Sequence, residues 1–416
     1  MTSTTTVTGR PGEAGPAARP PVMRWLAVLS VTLGIFSIVT TEILPIGLLT
    51  SIGSDFTVSD GMAGLTMTMP GFLAALSAPA VTLATARVDR RVMLCAFMLL
   101  LAAADFLAAA ATHYWIVLVS RVLVGVVIGG FWPIGAGLAQ RLVPARSVGR
   151  ATAVVFCAVP LGSVLGVPAG TFIGDLAGWR TAFVVLGLLT AGVLAMLLLA
   201  VPPLPPLEAT RPSVLRGMLR TTPTRCALLL TFLVVLAHFG AYTYVTPFLE
   251  QVTKAGPGLV TVFLLAYGAA GIVGNFAGGA LVTRKPRAAF ALAAGLVAAA
   301  TALLPVLGRW DTGAVALLIV WGIGYGAVPV ASQTWFANAA PNAPEAASVL
   351  FTASFQATIS LGALAGGVLV DHTSPSTVMT LGALTATLAV AVLALKEPGG
   401  RSGAPPRTGS TRAPLT

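Results

Sequence analysis

The hydrophobic pattern of this chain consists of long apolar segments separated by short polar ones. Stretches of about 18 or more predominantly apolar residues recur along it, and each can cross ~30 Å of hydrocarbon as a helix. The apolar residues do not alternate with the period of two that strands of a membrane barrel would show. Because only helices and closed barrels span a bilayer, the pattern predicts a helical membrane protein.

The number of apolar segments predicts an all-α membrane protein with twelve transmembrane helices in two six-helix halves, 24–201 and 226–395. Residues 202–225, rich in proline and arginine, are predicted to be a cytoplasmic linker. Residues 1–23 are predicted to be a disordered cytoplasmic tail and residues 396–416 a second cytoplasmic tail. The predicted spans lie near 23–49, 60–85, 92–111, 115–140, 148–173, 180–201, 226–249, 258–282, 288–307, 313–338, 345–370 and 377–395.

Composition supports a chain embedded in a lipid bilayer. Of its 416 residues, 56% are hydrophobic and 9% are charged, whereas soluble domains carry about 25% charged residues. The net charge of +11 is compatible with a nucleic-acid binder. The basic residues, however, occupy short clusters between the apolar spans, which is the pattern that orients membrane proteins. We therefore expect no nucleic-acid partner.

The distribution of basic residues predicts the orientation. Twelve spans place both termini on one side of the membrane. If that side is the cytoplasm, 20 of the 24 Lys and Arg residues fall in cytoplasmic segments, three fall outside, and Arg121 lies within the membrane. By the positive-inside rule we expect a multi-pass membrane protein with both termini cytoplasmic.

An internal repeat relates the two halves. A shift of 196 residues places Glu42 on His238, so each half has an ionisable residue at the same position of its first helix. The same shift superposes Pro133 on Pro329, Gly166 on Gly362, Gly170 on Gly366, Asp175 on Asp371 and Arg91 on Arg287. The order of loops and spans agrees as well, so duplication of a six-helix unit is the better interpretation.

Four ionisable residues inside the spans are candidates for proton coupling: Glu42, Asp105, Arg121 and His238. A charge in hydrocarbon costs several kcal/mol, so an intramembrane charge is a functional hypothesis by default. Glu42, Asp105 and Arg121 lie at similar depth when ~1.5 Å is counted per residue, which makes pairing possible. In the mechanism we expect, Glu42 is protonated when it faces outside and deprotonated when it faces inside.

Each of these four residues also has a structural interpretation. Glu42 could be an interfacial carboxylate bonded to neighbouring backbone, and Arg121 could hold helices together through backbone carbonyls. Asp105 could extend to the interface or partner a neighbour. His238 could be a hydrogen-bonded core residue. The sequence leaves these alternatives open.

Aromatic and amide side chains within the spans are candidates for binding a small-molecule substrate, because such sites combine stacking faces with a few polar groups. The candidates are Phe131, Trp132, Tyr242, Tyr244, Asn275, Gln333 and Trp335. An aromatic residue in a helix more often serves packing, so each assignment competes with that interpretation.

Glycines and prolines indicate where helices pack and bend. Gly125, Gly129, Gly162, Gly166 and Gly170 have the small-xxx-small spacing that lets membrane helices approach closely, which would also let them slide during gating. The prolines at 160 and 168 are expected to kink the fifth helix.

Several motifs resemble those of the major facilitator superfamily. The segment Arg121-Val-Leu-Val-Gly-Val-Val-Ile-Gly129 is similar to its fourth-helix motif, and Gly162-x3-Gly166-Val-Pro168-Ala-Gly170 is similar to the fifth-helix motif of its drug and metabolite antiporters. The loop Arg87-Val-Asp-Arg90-Arg91 occupies the place of the superfamily's gating loop after the second helix. It lacks the usual glycine and leading aspartate, so the gating contact of that aspartate does not carry over.

Other segments resemble particular groups of exporters. Thr40-Thr-Glu42-x-Leu-Pro45 is similar to the first helix of bacterial purine-ribonucleoside efflux pumps, and Gly129-Gly-Phe131-Trp132 also matches that group. The seventh-helix segment beginning at His238 resembles sugar, purine and chloramphenicol exporters. The resemblance implies a twelve-helix exporter of the bacterial plasma (inner) membrane.

The sequence therefore predicts a secondary efflux transporter, not an enzyme, that exchanges a nucleoside, sugar or antibiotic for protons by alternating access. We expect a monomer without cofactor or metal. The sequence has no GxxxxGK[ST] phosphate loop for an ATP-driven pump, and its histidines and cysteines lack metal-ligand spacing. A uniporter, or a non-transporting membrane sensor on the same fold, is the alternative.

Overall fold

The computed structural model describes residues 20–85, 87–135, 138–205, 212–282, 284–340 and 344–395, which are almost entirely helical. In these residues twelve helices are long and apolar enough to span a membrane, so the predicted fold class is confirmed. They are α1 (Pro21–Gly47), α2 (Asp60–Ala84), α3 (Arg90–Ala109), α4 (Tyr114–Trp132), α5 (Arg150–Ala177), α6 (Trp179–Ala200), α7 (Thr222–Tyr242), α8 (Pro257–Val282), α9 (Pro286–Leu307), α10 (Asp311–Ala339), α11 (Ala346–His372) and α12 (Pro375–Leu395).

Shorter helices connect some of these spans. One covers Leu49–Phe56 after α1, one covers Pro212–Arg220 within the predicted linker, and one covers Val245–Phe248 after α7. Helix α7 begins at Thr222, inside the predicted linker. Its first turn contains a proline, which favours the start of a helix. Most of the predicted N-terminal tail and all of the C-terminal tail lie outside the described residues.

Helix starts and stops follow local sequence chemistry. The Ser59 hydroxyl accepts a hydrogen bond from the Met62 backbone N–H at 3.1 Å, which caps the start of α2. The Asp89 carboxylate accepts from the Arg91 N–H at 2.8 Å and caps α3. Between α5 and α6, Gly178 has a φ of +85°, a conformation that favours glycine. Polar caps and one glycine therefore define these turns.

Glycines bring neighbouring helices into backbone contact in both halves. A Cβ on Gly125 would lie 2.4 Å from the Pro70 carbonyl oxygen, and one on Gly129 would lie 2.6 Å from that of Ala74, so α4 packs directly on α2. Helix α10 meets α8 in the same way through Gly322 and Gly326, which face the carbonyls of Tyr267 and Gly271. The predicted close approach at Gly125 and Gly129 is thus present.

Helix α5 packs on α1 through the other predicted glycines. Added Cβ atoms on Gly166 and Gly170 would lie 2.4 Å from the Thr40 hydroxyl and 2.0 Å from Leu44 Cδ1. Between the prolines at 160 and 168 the helix contains a π-helical turn, Gly162–Gly166. Such turns are a recognised cause of bends. The kink predicted at the two prolines stays a prediction.

The two halves are hydrogen-bonded to each other at one end of the bundle. We call the end at which α1 begins and α12 ends the terminal end, and the opposite end the distal end. At the distal end the Asp371 carboxylate of α11 accepts from the Ser59 hydroxyl at 2.6 Å and from the Gly61 N–H at 2.8 Å. Further distal bonds join Thr50 to Glu250, Gln251 to Asp60, Thr246 to the Ile46 carbonyl, and Thr261 to Thr171.

The distal contacts seal the bundle on that side. Glu250 lies in the short segment after α7, where burial raises the pKa of its carboxyl group. These hydrogen bonds between the halves close the interior of the bundle at the distal end.

Candidate functional site: a cavity between the two halves

A cavity of ≈ 290 Å³ lies between the halves, bounded by α1, α4 and α5 on one side and by α7, α8, α10 and α11 on the other. This volume is close to the lower end of the range of ~300–1,000 Å³ typical of small-molecule sites. Most of the lining is apolar, as such sites usually are. Its polar residues are Glu42, Ser163, His238, Tyr242, Tyr267, Asn275, Tyr325, Gln333, Ser348, Thr352 and Gln356.

The Glu42 carboxylate lies on this cavity at the junction of the two halves. The side chain is 7% exposed, and its Oε1 accepts a hydrogen bond from Gln356 Nε2 of α11 at 2.8 Å. No described cation lies within ion-pair distance of it. A buried carboxylate on an open cavity with one neutral partner can take up and release a proton as its surroundings change.

Arg121 lies behind Glu42 and is completely buried in α4. Its Nη1 donates to the Thr41 carbonyl at 2.7 Å, while Nε and Nη2 have no hydrogen-bond partner among the described residues. The guanidinium also lies 5.2 Å from the centre of the Phe183 ring, within cation–π distance. The contact with a backbone carbonyl matches the structural alternative that the sequence left open.

Asp105 is also completely buried, facing α1 from α3. Its Oδ2 accepts from the Thr41 hydroxyl at 3.2 Å, and its Oδ1 has no described partner. Of the two structural interpretations of Asp105, extension to the interface is wrong, because the side chain points into the half and partners a neighbour. Arg121 and Asp105 therefore meet at Thr41, directly before Glu42 in α1.

His238 lies across the cavity within a cluster of aromatic rings. Its imidazole stacks on Tyr325 with ring centroids 3.3 Å apart and on Tyr242 at 5.0 Å. Tyr242 in turn stacks on Tyr267 at 4.4 Å, and Trp321 meets these rings edge-on. The rings form a wall of aromatic faces and edges on the second half of the protein.

The hydrogen bond of His238 identifies which nitrogen carries its proton. Trp321 Nε1 lies 3.1 Å from His238 Nδ1, and an indole N–H can only donate. Nδ1 is therefore the acceptor, and the proton of the neutral imidazole is on Nε2. This Nε2 has no partner among the described residues. An imidazolium would lose the bond from Trp321, so the geometry favours a neutral His238.

The predicted substrate residues divide into two groups. Trp132, Tyr242, Asn275 and Gln333 line the cavity. Phe131 does not, because successive helical residues point ~100° apart and this ring faces the packed interior beside Gly34.

Trp335 and Tyr244 also lie away from the cavity. The ring of Trp335 packs edge-on against Phe290 of α9 at 5.7 Å. Tyr244 lies beyond the end of α7, where its hydroxyl donates to the Ala363 carbonyl at 2.7 Å. Its ring fills a gap left by Gly64 of α2 and Gly366 of α11. Tyr244 therefore joins the halves at the distal end, and its predicted place in a ligand site is corrected.

The sequence interpretation missed Gln356, Tyr267, Tyr325 and Trp321. Gln356 is an isolated amide in an apolar span, a signal of the same kind as the one that identified Gln333. Three of the chain's five tyrosines belong to the aromatic cluster. Their concentration in helices of the second half was the available signal, but the sequence does not show that they face one another.

The basic loop between α2 and α3 contacts the end of α6 and the residues that follow it. The Arg90 N–H donates to the Leu204 carbonyl at 2.9 Å, and the Arg91 guanidinium donates to the Leu198 carbonyl at the end of α6. Arg87 is exposed. A gating role for Arg87, Arg90 and Arg91 stays a prediction.

Comparison with known proteins places this architecture in a family. A sequence model described as Major Facilitator Superfamily matches residues 31–354. A crystal structure of a bacterial homologue of the human lysosomal transporter Spinster, in an inward-facing and occupied conformation, superposes with a TM-score of 0.72 at 19% identity, covering 91% of this chain and 97% of that one. The unoccupied inward-facing structure of that homologue gives 0.63.

Two curated relatives cover most of the chain. The purine ribonucleoside efflux pump NepI of Salmonella paratyphi A is 30% identical over 360 residues, covering 86% of this chain and 90% of the pump. The transcription regulatory protein OpdE of Pseudomonas aeruginosa is 33% identical over 363 residues, covering 84% and 88%. The chain belongs to the Major Facilitator Superfamily. It is a multi-pass inner-membrane transporter of that family, whose relatives include efflux pumps.

Proposed function

We propose that this protein exports a purine nucleoside, or a sugar or antibiotic of similar size, in exchange for protons. The observation that carries the proposal is the single carboxylate among the described cavity residues, Glu42, placed opposite an aromatic wall. One titratable group can exchange a proton as the cavity changes sides, and flat rings can stack on a planar ligand. The NepI relatives, named as purine ribonucleoside pumps, favour a nucleoside.

The orientation in this proposal has both termini in the cytoplasm, and the protein acts as a monomer. It rests on the 20 basic residues of the terminal side against three on the other. In that orientation the hydrogen-bonded distal end faces outward, and the cavity is in an inward-facing state. A fluorescent protein fused to the C-terminus should be bright in intact cells, whereas alkaline phosphatase at the same site should be inactive. The reverse pattern would contradict the orientation.

A panel of toxic compounds tests the export function. The chain would be expressed in an efflux-deficient bacterial host, and resistance to toxic purine nucleosides and to chloramphenicol-like drugs would be measured. Purified protein in proteoliposomes should then move the compound to which it gave resistance when a pH gradient is imposed. Resistance to neither class would remove both preferred substrates.

A membrane sensor is the second candidate function, because the OpdE relative is named as a transcription regulatory protein. A sensor would bind its ligand but would show no flux in proteoliposomes under a proton gradient. It would also alter transcription in the host without lowering the cellular concentration of the ligand. Flux in the purified system decides between the two functions.

A further inference from the structure

The Asp371 carboxylate joins the second half of the protein to the first at the distal end. Asp371 lies in the last turn of α11, and both of its oxygens accept hydrogen bonds from the start of α2. Oδ2 accepts from the Ser59 hydroxyl at 2.6 Å, and Oδ1 accepts from the Gly61 N–H at 2.8 Å. The free N–H groups and the positive end of the helix dipole make the start of a helix a favourable place for a carboxylate.

These bonds form only when the two halves are together, because α2 has a cap of its own. While the Ser59 hydroxyl donates to Asp371, its oxygen accepts from the Met62 N–H at 3.1 Å. A hydroxyl has one hydrogen to donate and two lone pairs, so it makes both bonds at once. Separation of the halves would break the bonds of Asp371 and leave the cap of α2 in place. Asp371 therefore contributes to closure of the distal end and not to the folding of α2.

Close packing of α2 on α11, which we call the α2–α11 seam, brings these groups together. A Cβ on Gly61 would collide with the Asp371 carboxylate and with the Gly367 carbonyl oxygen. Ala63, one turn further along α2, is 1% exposed. It belongs to an apolar cluster that draws on both halves and consists of Leu49, Ala63, Tyr244, Val370 and Val378. Water reaches Ala63 when α2 and α11 separate.

The contact between α5 and α8, the α5–α8 seam, corresponds to the α2–α11 seam in the repeat but lacks its hydrogen-bond donors. A shift of 196 residues places Asp175 of α5 on Asp371 of α11. At the start of α8, the same shift places Ala255 and Pro257 at the positions of the two donors of α2. Alanine has no hydroxyl group and proline has no N–H, so neither residue can donate to Asp175 in the way that α2 donates to Asp371.

The contacts of Asp175 agree with this difference. Among the described residues its carboxylate accepts one hydrogen bond, from the Thr261 hydroxyl at 3.5 Å. That distance is longer than the ~2.5–3.0 Å usual for O–H···O bonds. Nearby, Val167 of α5 packs with apolar residues of the second half and is 1% exposed. The α5–α8 seam therefore closes through apolar packing, with little help from its carboxylate.

We propose that Asp371 is a one-sided latch for the distal end: it holds α11 on the start of α2, whereas the repeat-related Asp175 does not hold α5 on α8. The inference concerns closure of the distal end and holds for whatever substrate the cavity takes. Because the halves of such a transporter move largely as rigid bodies, loss of the latch at one seam should favour separation at both. The latch thus sets how often the distal end opens.

Cysteine probes test this proposal without any substrate. The full-length protein would be studied in lipid nanodiscs after its three native cysteines, at positions 95, 157 and 226, are replaced by serine. Ala63→Cys then reports on the α2–α11 seam, and Val167→Cys reports on the α5–α8 seam. Neither residue lines the cavity, so a water-soluble maleimide reacts at each position when the seam separates. The initial rate of reaction is proportional to the fraction of open protein, which makes small populations measurable.

Asp371→Ala should raise the reaction rate about tenfold at both probes, because it removes two charge-assisted hydrogen bonds between the halves. The matched control is Asp175→Ala, which removes the repeat-related carboxylate. It should change the rate by less than about twofold at both probes, although Asp175 lies on the seam that contains Val167.

The second probe separates a latch from a local structural effect. If Asp371 only stabilised the start of α2, Asp371→Ala would accelerate the reaction of Ala63→Cys and leave that of Val167→Cys unchanged, and this result would overturn the proposal. Unchanged rates at both probes in Asp371→Ala, or an equal increase in Asp175→Ala, would overturn it as well. No substrate and no proton gradient is present, so these outcomes are independent of the proposed export.

Discussion

The two halves of this protein share their helix packing and differ in their chemistry. The glycine contacts of α4 on α2 recur between α10 and α8. The buried charged positions do not recur: at a shift of 196 residues Glu42 corresponds to His238 and Asp105 to Thr301. The buried polar network of the first half thus contains ionisable carboxyl and guanidinium groups, whereas that of the second half contains neutral aromatic and hydroxyl groups.

From this difference we expect the two sides of the cavity to have different roles. In the first half, Arg121 and Asp105 surround Thr41 beside the carboxylate of Glu42. In the second half, His238 is neutral by its bond from Trp321 and sits between tyrosine faces. Charge-bearing side chains suit proton handling, and stacked rings suit ligand binding. The same kind of backbone packing occurs in both halves because it depends on glycine spacing and not on the side chains at these sites.

The largest effect is expected from substituting Glu42 and His238, which occupy corresponding positions in the two halves. Glu42→Gln should lower proton-driven transport in proteoliposomes by about a hundredfold or more, since it removes the cavity's carboxylate while keeping its shape. His238→Gln, the matched change in the second half, should weaken substrate binding about tenfold and leave the ratio of protons to substrate unchanged. Flux measured with a pH-sensitive dye inside the vesicles reports both. Proton-driven transport by Glu42→Gln would contradict the role that we assign to the first half.

A smaller effect is expected from the aromatic wall. Tyr325→Leu removes the face that stacks on His238 at 3.3 Å, and stacking on aromatic rings is worth about 1–3 kcal/mol per base. We expect about tenfold weaker nucleoside binding, while Tyr325→Phe, which keeps the ring, should stay within about threefold of wild type. Binding would be measured by isothermal titration calorimetry. Equal losses in both variants would show that the hydroxyl, and not the ring, contributes.

The smallest effect is expected from the second repeat-related pair. Asp105→Asn keeps an acceptor for the Thr41 hydroxyl but removes the negative charge nearest to Arg121, so transport should fall by about three- to fivefold without loss of folded protein. Thr301→Ala is the control, because the Thr301 hydroxyl bonds only to carbonyls of its own helix in the described residues.

Thr301→Ala should change transport and thermal stability little, within about 0.5 kcal/mol. Both variants would be compared by initial rates and by melting in detergent. A loss in Thr301→Ala as large as that in Asp105→Asn would mean that the first half has no special role in charge handling.

The sequence alone determined the number of spans, the repeat and the identity of the buried charges. Apolar segments of sufficient length must become helices in lipid, and an isolated carboxylate such as Glu42 stands out in such a segment whatever it contacts. Glycine spacing likewise predicted the close packing at Gly125 and Gly129, because a residue without a side chain allows close approach of whichever helix lies opposite.

Only the tertiary structure decided which side chains meet. Phe131 and Trp132 are adjacent in sequence, but helix rotation buries one ring and places the other on the cavity. The bond between Glu42 and Gln356 joins residues 314 positions apart, and no local pattern encodes such a contact. Span length and buried charge are properties of one segment, whereas a binding site depends on the rotation and packing of seven helices at once.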